Sequence, residues 1–97
     1  VAEVIYQVGN TIRLKCAFRD FDGLLKNPDI VKVKIYDQSY KQLSEFVLSQ
    51  SNNSDTGNWF YDYVIPLDVR GKLYYEWYGE MAGSPSLKRD SFKVAFI

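Results

Sequence analysis

Catalysis needs side chains that exchange protons or attack electrophiles, and this chain carries few of them. It has no histidine, so the commonest general base is absent and no Ser-His or Cys-His pair can form. Its single cysteine, Cys16, falls between Leu14 and Phe18 on an apolar face. A thiol there is a small hydrophobe with a raised pKa, not a nucleophile. Two carboxylates can cut a glycoside when a fold pairs them. The acids here lie mostly in turns, and nothing in their spacing pairs them. These residues point away from an enzyme and call for no cofactor.

Metal binding meets a similar shortage. Zinc asks for cysteine and histidine ligands that the chain does not supply. Calcium asks for about six to eight oxygens, and Asp20 and Asp22, with Asp29 near them, are the candidates. The favoured reading is simpler. Asp20 and Asp22 cap a turn by accepting backbone N–H groups, and Gly23 takes a positive φ. Calcium is the lesser alternative. Twelve basic and twelve acidic residues cancel, so no broad positive field attracts nucleic acid or anionic lipid. No apolar run approaches the roughly 20 residues of a membrane-spanning helix. Asn52-Asn53-Ser54 matches a glycosylation acceptor pattern, which marks its loop as exposed. The chain begins at Val1 rather than Met, as a processed product or a module of a longer polypeptide would.

The elements that must position any site are strands. Residues 4–8 read as a short first strand. Across residues 11–18, Ile12, Leu14, Cys16 and Phe18 alternate with Thr11, Arg13, Lys15 and Ala17, the period of a half-buried strand. Val31, Val33 and Ile35 alternate with Lys32, Lys34 and Tyr36. Residues 43–48 form a weaker strand with Phe46 and Leu48 inward, and the polar residues 49–58 form a loop. Trp59, Tyr61, Tyr63 and Ile65 line the next inward face, and Leu73, Tyr75 and Trp77 the one after it. Residues 79–85 are a hairpin connection with Gly83-Ser84-Pro85 at its tip. Phe92, Val94 and Phe96 end the chain on a last strand.

No apolar period of helical length occurs. Seven strands between turn signals predict one all-β domain over residues 1–97. The expected fold is a seven-strand, immunoglobulin-like, antiparallel β-sandwich without a disulfide. Cys16 sits where antibody domains place their first half-cystine, but the expected partner position holds Trp77. Burying one large aromatic contributes roughly 1.5–3 kcal/mol, comparable with a disulfide.

The outward residues make the candidate site. If Leu73, Tyr75 and Trp77 face in, then Tyr74, Glu76 and Tyr78 face out. The strands holding Tyr36 and Tyr74 are neighbours in the expected topology. Tyr36, Tyr74 and Tyr78 then share one exposed face, framed by Lys34 and Glu76. Tyrosine is enriched at binding surfaces because its ring is large, stiff and amphipathic. This face therefore reads either as a site for a protein partner or self-association, or as ordinary cross-strand pairing worth about 0.2–1 kcal/mol per pair. Stacked sugar is the alternative ligand, as in carbohydrate-binding modules. It is weakened because Trp59 and Trp77 fall on core faces. The turn over residues 49–58 is a second presented feature. The first and last strands are open edges to which another chain could add.

The order of several motifs resembles a known class. Val8-Gly9-Asn10-Thr11-Ile12, Asp22-Gly23, Val31-Lys32-Val33-Lys34-Ile35, Asp55-Thr56-Gly57, Ile65-Pro66, Gly71 and Phe92-Lys93-Val94 follow one another as they do in immunoglobulin-like modules. The modules in question are those of tailed-phage virion proteins and of bacterial surface proteins of the macroglobulin or adhesin type. The resemblance implies a non-catalytic structural or adhesive module in a virion or at a cell surface. It carries no set of site residues.

Overall fold

A computed structural model describes residues 4–97. The first three residues of the expected 1–97 span lie outside the described residues. The structure is all-β, with two sheets packed as a sandwich. Its strands are β1 (Ile5–Gln7), β2 (Thr11–Ala17), β3 (Ile30–Tyr36), β4 (Gln42–Val47), β5 (Asn53–Asp55), β6 (Asn58–Val64), β7 (Gly71–Met81) and β8 (Ser84–Ala95). A 3-10 turn, Gln50–Asn52, precedes β5. The larger sheet runs β1-β8-β7-β3-β4 and the smaller β2-β6-β5. Cys16 is buried and free, so no disulfide links the sheets.

The alternation read from the sequence sets the core. Leu14, Cys16 and Phe18 meet Trp59, Tyr63 and Ile65 on one layer. Val31, Val33, Ile35, Leu73, Trp77, Phe92 and Val94 face them from the other. Phe46 and Leu48 pack against this cluster as expected, and the Phe46 ring stacks on Tyr61 with centroids 4.5 Å apart. Phe18 is completely buried and meets Trp77 edge-on at 6.3 Å. Its ring lies where a Cβ on Gly79 would stand, so only glycine lets the two sheets close at that point. Cys16 and Trp77 line the same hollow, with aromatic bulk in place of a crosslink.

Five expectations change. Among the described residues the strands number eight rather than seven. The addition is β5, inside the segment read as loop. Asn53 Nδ2 donates to the carbonyls of Asp55 and Asn58, at 2.6 and 3.0 Å, and holds that stretch beside β6 without any apolar alternation. The pairing is not wholly antiparallel, because β1 runs parallel to β8. The chain enters the larger sheet at β1 and then crosses to the smaller one. The last strand is therefore no edge, since β8 lies between β1 and β7. Phe96 is 73% exposed, because β8 ends at Ala95 and carries it past the core; the Arg70 guanidinium covers its ring at 5.7 Å. Finally, β7 and β8 continue to a two-residue turn at Ala82 and Gly83, both with positive φ (50° and 82°). That is the type I′ geometry that matches strand twist.

The open edge of β2 is managed rather than left bare. Lys88 reaches from the larger sheet and donates to the Ala17 carbonyl at 2.7 Å. Arg13 and Lys15 stand along the same strand, and charges of this kind discourage pairing with another chain.

Candidate functional site: the outer face of the larger sheet

Strand register builds this site. Across β3, β7 and β8, Tyr36 lies opposite Tyr74, and Tyr74 opposite Ser91. One step along, Glu45 of β4, Lys34, Glu76 and Arg89 form a transverse row. A third row is Val47, Lys32, Tyr78 and Leu87. Period two puts all of these on the side away from the core. The expected residues Tyr36, Tyr74, Tyr78, Lys34 and Glu76 thus share one face.

Their roles differ from the expectation in one respect. Glu76 does not frame an exposed surface. It is 5% exposed and is the one buried charged residue among the described residues. Arg89 Nε donates to Glu76 Oε2 at 2.6 Å, while Arg89 itself stays 68% exposed. A carboxylate on the central strand of this sheet is closed over by its long neighbours, and the Arg89 guanidinium satisfies it from above. Lys34 leans the other way, to Glu45 at 3.7 Å. Tyr78 stands apart, with Lys32 Nζ 5.6 Å above its ring.

The sequence reading misses Tyr40. Asp37 opens the loop between β3 and β4, and its Oδ1 accepts the N–H groups of Ser39 and Lys41 at 2.8 and 2.9 Å. The Tyr40 N–H donates to the Asp37 carbonyl at 3.0 Å. This closed loop forces Tyr40 to φ 66°, a left-handed conformation that a bulky residue takes at a cost of about 1–3 kcal/mol. The ring lands 4.9 Å from that of Tyr74 and is part of a residue 70% exposed. The Tyr74 hydroxyl raises the Tyr40 phenol above its ordinary range, and the Lys72 ammonium opposes the shift. Asp37 followed by Ser39 is the available signal for the turn; no signal marks its fourth residue as an aromatic platform.

Tyr36, Tyr40, Tyr74, Glu76 and Arg89 surround a hollow of about 320 Å³. These three tyrosines and Tyr75 supply apolar walls, and an ion pair supplies a polar floor. A larger hollow of about 460 Å³ lies at one end of the sandwich, beside Arg19, Phe21 and Met81, but no buried charge lines it. The turn over residues 49–58 leads into the smaller sheet and does not join the tyrosines.

The remaining candidates are placed elsewhere. Asp20 Oδ1 accepts the N–H groups of Asp22 and Leu24 at 2.9 and 3.0 Å, the turn-capping role, with Gly23 at φ 81°. Asp29 Oδ2 accepts the Ala82 N–H at 3.1 Å. Among the described residues, no three acids, cysteines or histidines gather as a metal would need. Burial pushes the Cys16 thiol up to about 11, with Lys88 opposing. No helix of the structure is long and apolar enough to cross a membrane.

The class that these observations define is an all-β sandwich of two sheets with an aromatic-lined outer face. No family model, curated protein or solved structure matches the chain. Its function is therefore read from its own geometry.

Proposed function

We propose that this chain is a non-catalytic interaction module that binds a protein surface through the outer face of its larger sheet. The observation that carries the reading is the buried Glu76 carboxylate, satisfied by the exposed Arg89, beside Tyr36, Tyr40 and Tyr74. Burying a carboxylate is unfavourable for folding unless the pair is well satisfied. Holding Tyr40 left-handed adds to that cost. Both features stiffen one patch of rings, and stiff rings lose little entropy on binding. The absence of histidine and the protonated, buried thiol of Cys16 support contact rather than catalysis as its work. The strand order, with β1 crossing to pair with β8 and β2-β6-β5 opposite, supports an immunoglobulin-like arrangement. The order of turn motifs supports a setting in a phage virion or a bacterial surface assembly.

The test is the joint substitution Tyr74→Ala and Tyr78→Ala. Light scattering after size exclusion reads self-association, and surface plasmon resonance against candidate assembly proteins reads partner binding. Loss of both with an unchanged far-ultraviolet spectrum supports the reading. Assembly and binding that do not change discard it. Sugar is a second reading, favoured by the Tyr40–Tyr74 platform beside Glu76 and Arg89, which offers stacking and hydrogen bonds together. A glycan array with no bound member removes it.

A further inference from the structure

We infer that the partner of this face is a second copy of the same chain, docked about a two-fold axis that runs along the strands between β3 and β7. The inference rests on the reading that this face binds protein, and it names that protein. It comes from the order of side chains along the transverse rows.

The middle row reads Glu45, Lys34, Glu76, Arg89 from β4 to β8, so its charges alternate minus, plus, minus, plus. A two-fold axis lying along the strands reverses the row laterally and leaves its height unchanged. Glu45 then faces Arg89 of the second copy, and Lys34 faces Glu76. The exposed charges at the two ends of the row, Glu45 and Arg89, thus meet their opposites, and Lys34 lies over the covered Glu76. The neighbouring rows match under the same rotation. Tyr36 faces Tyr74, Lys32 faces Tyr78, and Val47 faces Leu87. These are a ring on a ring, a cation on a ring, and an aliphatic on an aliphatic. The competing in-plane two-fold, across the strands, sets Glu45 on Glu45 and Lys34 on Lys34. Like charges brought together in this way oppose docking. Aligned packing of two twisted sheets, at about −30°, is compatible with the first axis. Interfaces with this symmetry use one self-complementary patch on both subunits.

The exposed members of the row carry the specificity. Glu76 is covered, while the side chains of Lys34 and Glu45 are 27% and 39% exposed and that of Arg89 is 68% exposed. The Glu45–Arg89 contact between copies is therefore the one to reverse. Sedimentation equilibrium of the wild type up to about 1 mM is expected to show a monomer–dimer equilibrium. Rising salt should weaken it, because exposed charges are screened within about 10 Å at 0.1 M. Glu45→Lys should weaken it at least about tenfold, and Arg89→Glu should act likewise. An equimolar mixture of the two variants should recover dimers. In the mixed dimer the two introduced charges meet each other at one contact, with their signs exchanged, and the native Arg89 and Glu45 meet at the other. If Arg89→Glu does not fold, Arg89→Lys keeps the charge and the fold. In that variant a carbodiimide should link Glu45 of one copy to the introduced amine of the other, which isotope-mixed chains resolve by mass.

A wild type that stays monomeric at about 1 mM overturns the inference and leaves the binding face to a different protein. A dimer untouched by Glu45→Lys but lost in the Tyr74→Ala, Tyr78→Ala variant overturns this axis and keeps the face. A dimer that neither variant disturbs overturns both.

Discussion

The two outward faces of the sandwich carry the same kind of acid–base pair in opposite settings. On the smaller sheet, Arg13 and Asp62 lie opposite each other on β2 and β6, joined by two hydrogen bonds of 2.7 and 3.0 Å. Both are about half exposed, and the guanidinium rests 4.3 Å from the Phe60 ring centroid. On the larger sheet, Glu76 meets Arg89 beneath a set of tyrosines and is buried. The first pair is an ordinary solvated contact, worth little because water already satisfies both ions. The second removes a carboxylate from water and depends on its partner. Pair geometry alone therefore does not separate a site from a surface. The difference is whether neighbouring side chains exclude water from the acid.

A matched pair of substitutions separates the two faces most strongly. Arg89→Met should lower stability by about 1–3 kcal/mol, because Glu76 keeps its burial and loses its donor. Arg13→Met should move the melting temperature by no more than about 2 °C. Equal effects, measured by thermal denaturation of both variants, would erase the distinction between the faces.

The core between the two faces responds to alkali. Cys16 titrates at about 11 in the folded chain against an ordinary value of 9.0. Below pH 9 both states hold the proton and stability is complete. Between pH 9 and 11 the unfolded chain loses it first, so stability falls by up to about 2–3 kcal/mol. Burial also raises the Tyr63 and Tyr75 phenols, which extends the loss in the same direction above pH 10. Cys16→Ala should flatten the slope of melting temperature against pH between 9 and 10. A slope that does not change would mean that the thiol is not sheltered.

Two smaller effects follow. Tyr40→Gly relieves the left-handed backbone and loses one ring contact, so stability should stay within about 1 kcal/mol of wild type. Binding at the tyrosine face should nonetheless weaken by several-fold, which a titration of the dimer reads. Asp62 is held below its ordinary range by the Arg13 guanidinium. Its contribution is present above the unfolded carboxylate range and is lost as pH falls through the lowered folded value. The stabilities of wild type and Asp62→Asn should differ slightly above about pH 4 and converge as an acid titration passes below it.

Much of this architecture is legible in the chain. The alternations at Ile12–Phe18, Val31–Ile35 and Leu73–Trp77 carry the strands and their inward faces, because period two is a property of the backbone. The same parity places Tyr36, Tyr74 and Tyr78 together. Arg89 is not legible, because its partner depends on the β7–β8 turn. A tip at Gly83-Ser84-Pro85 gives a different register, whereas the Ala82–Gly83 turn sets Arg89 opposite Glu76. Pro85 misleads because proline usually ends a strand. Here β8 pairs with β1 only over Lys93–Ala95, so Pro85 occupies an edge where its missing N–H is tolerated. The β5 strand escapes for another reason: a side-chain amide holds it, and periodicity does not record amides.

The Ala82–Gly83 turn also bears on the order of events during folding. It joins two long strands with the shortest usable loop, so their pairing needs almost no chain closure. Hairpins form in about 1–10 μs, ahead of contacts between distant segments. Glu76 and Arg89 should therefore meet while β2 and β6 are still searching for each other. The ion pair at the floor of the hollow is assembled from neighbours in time before anything covers it.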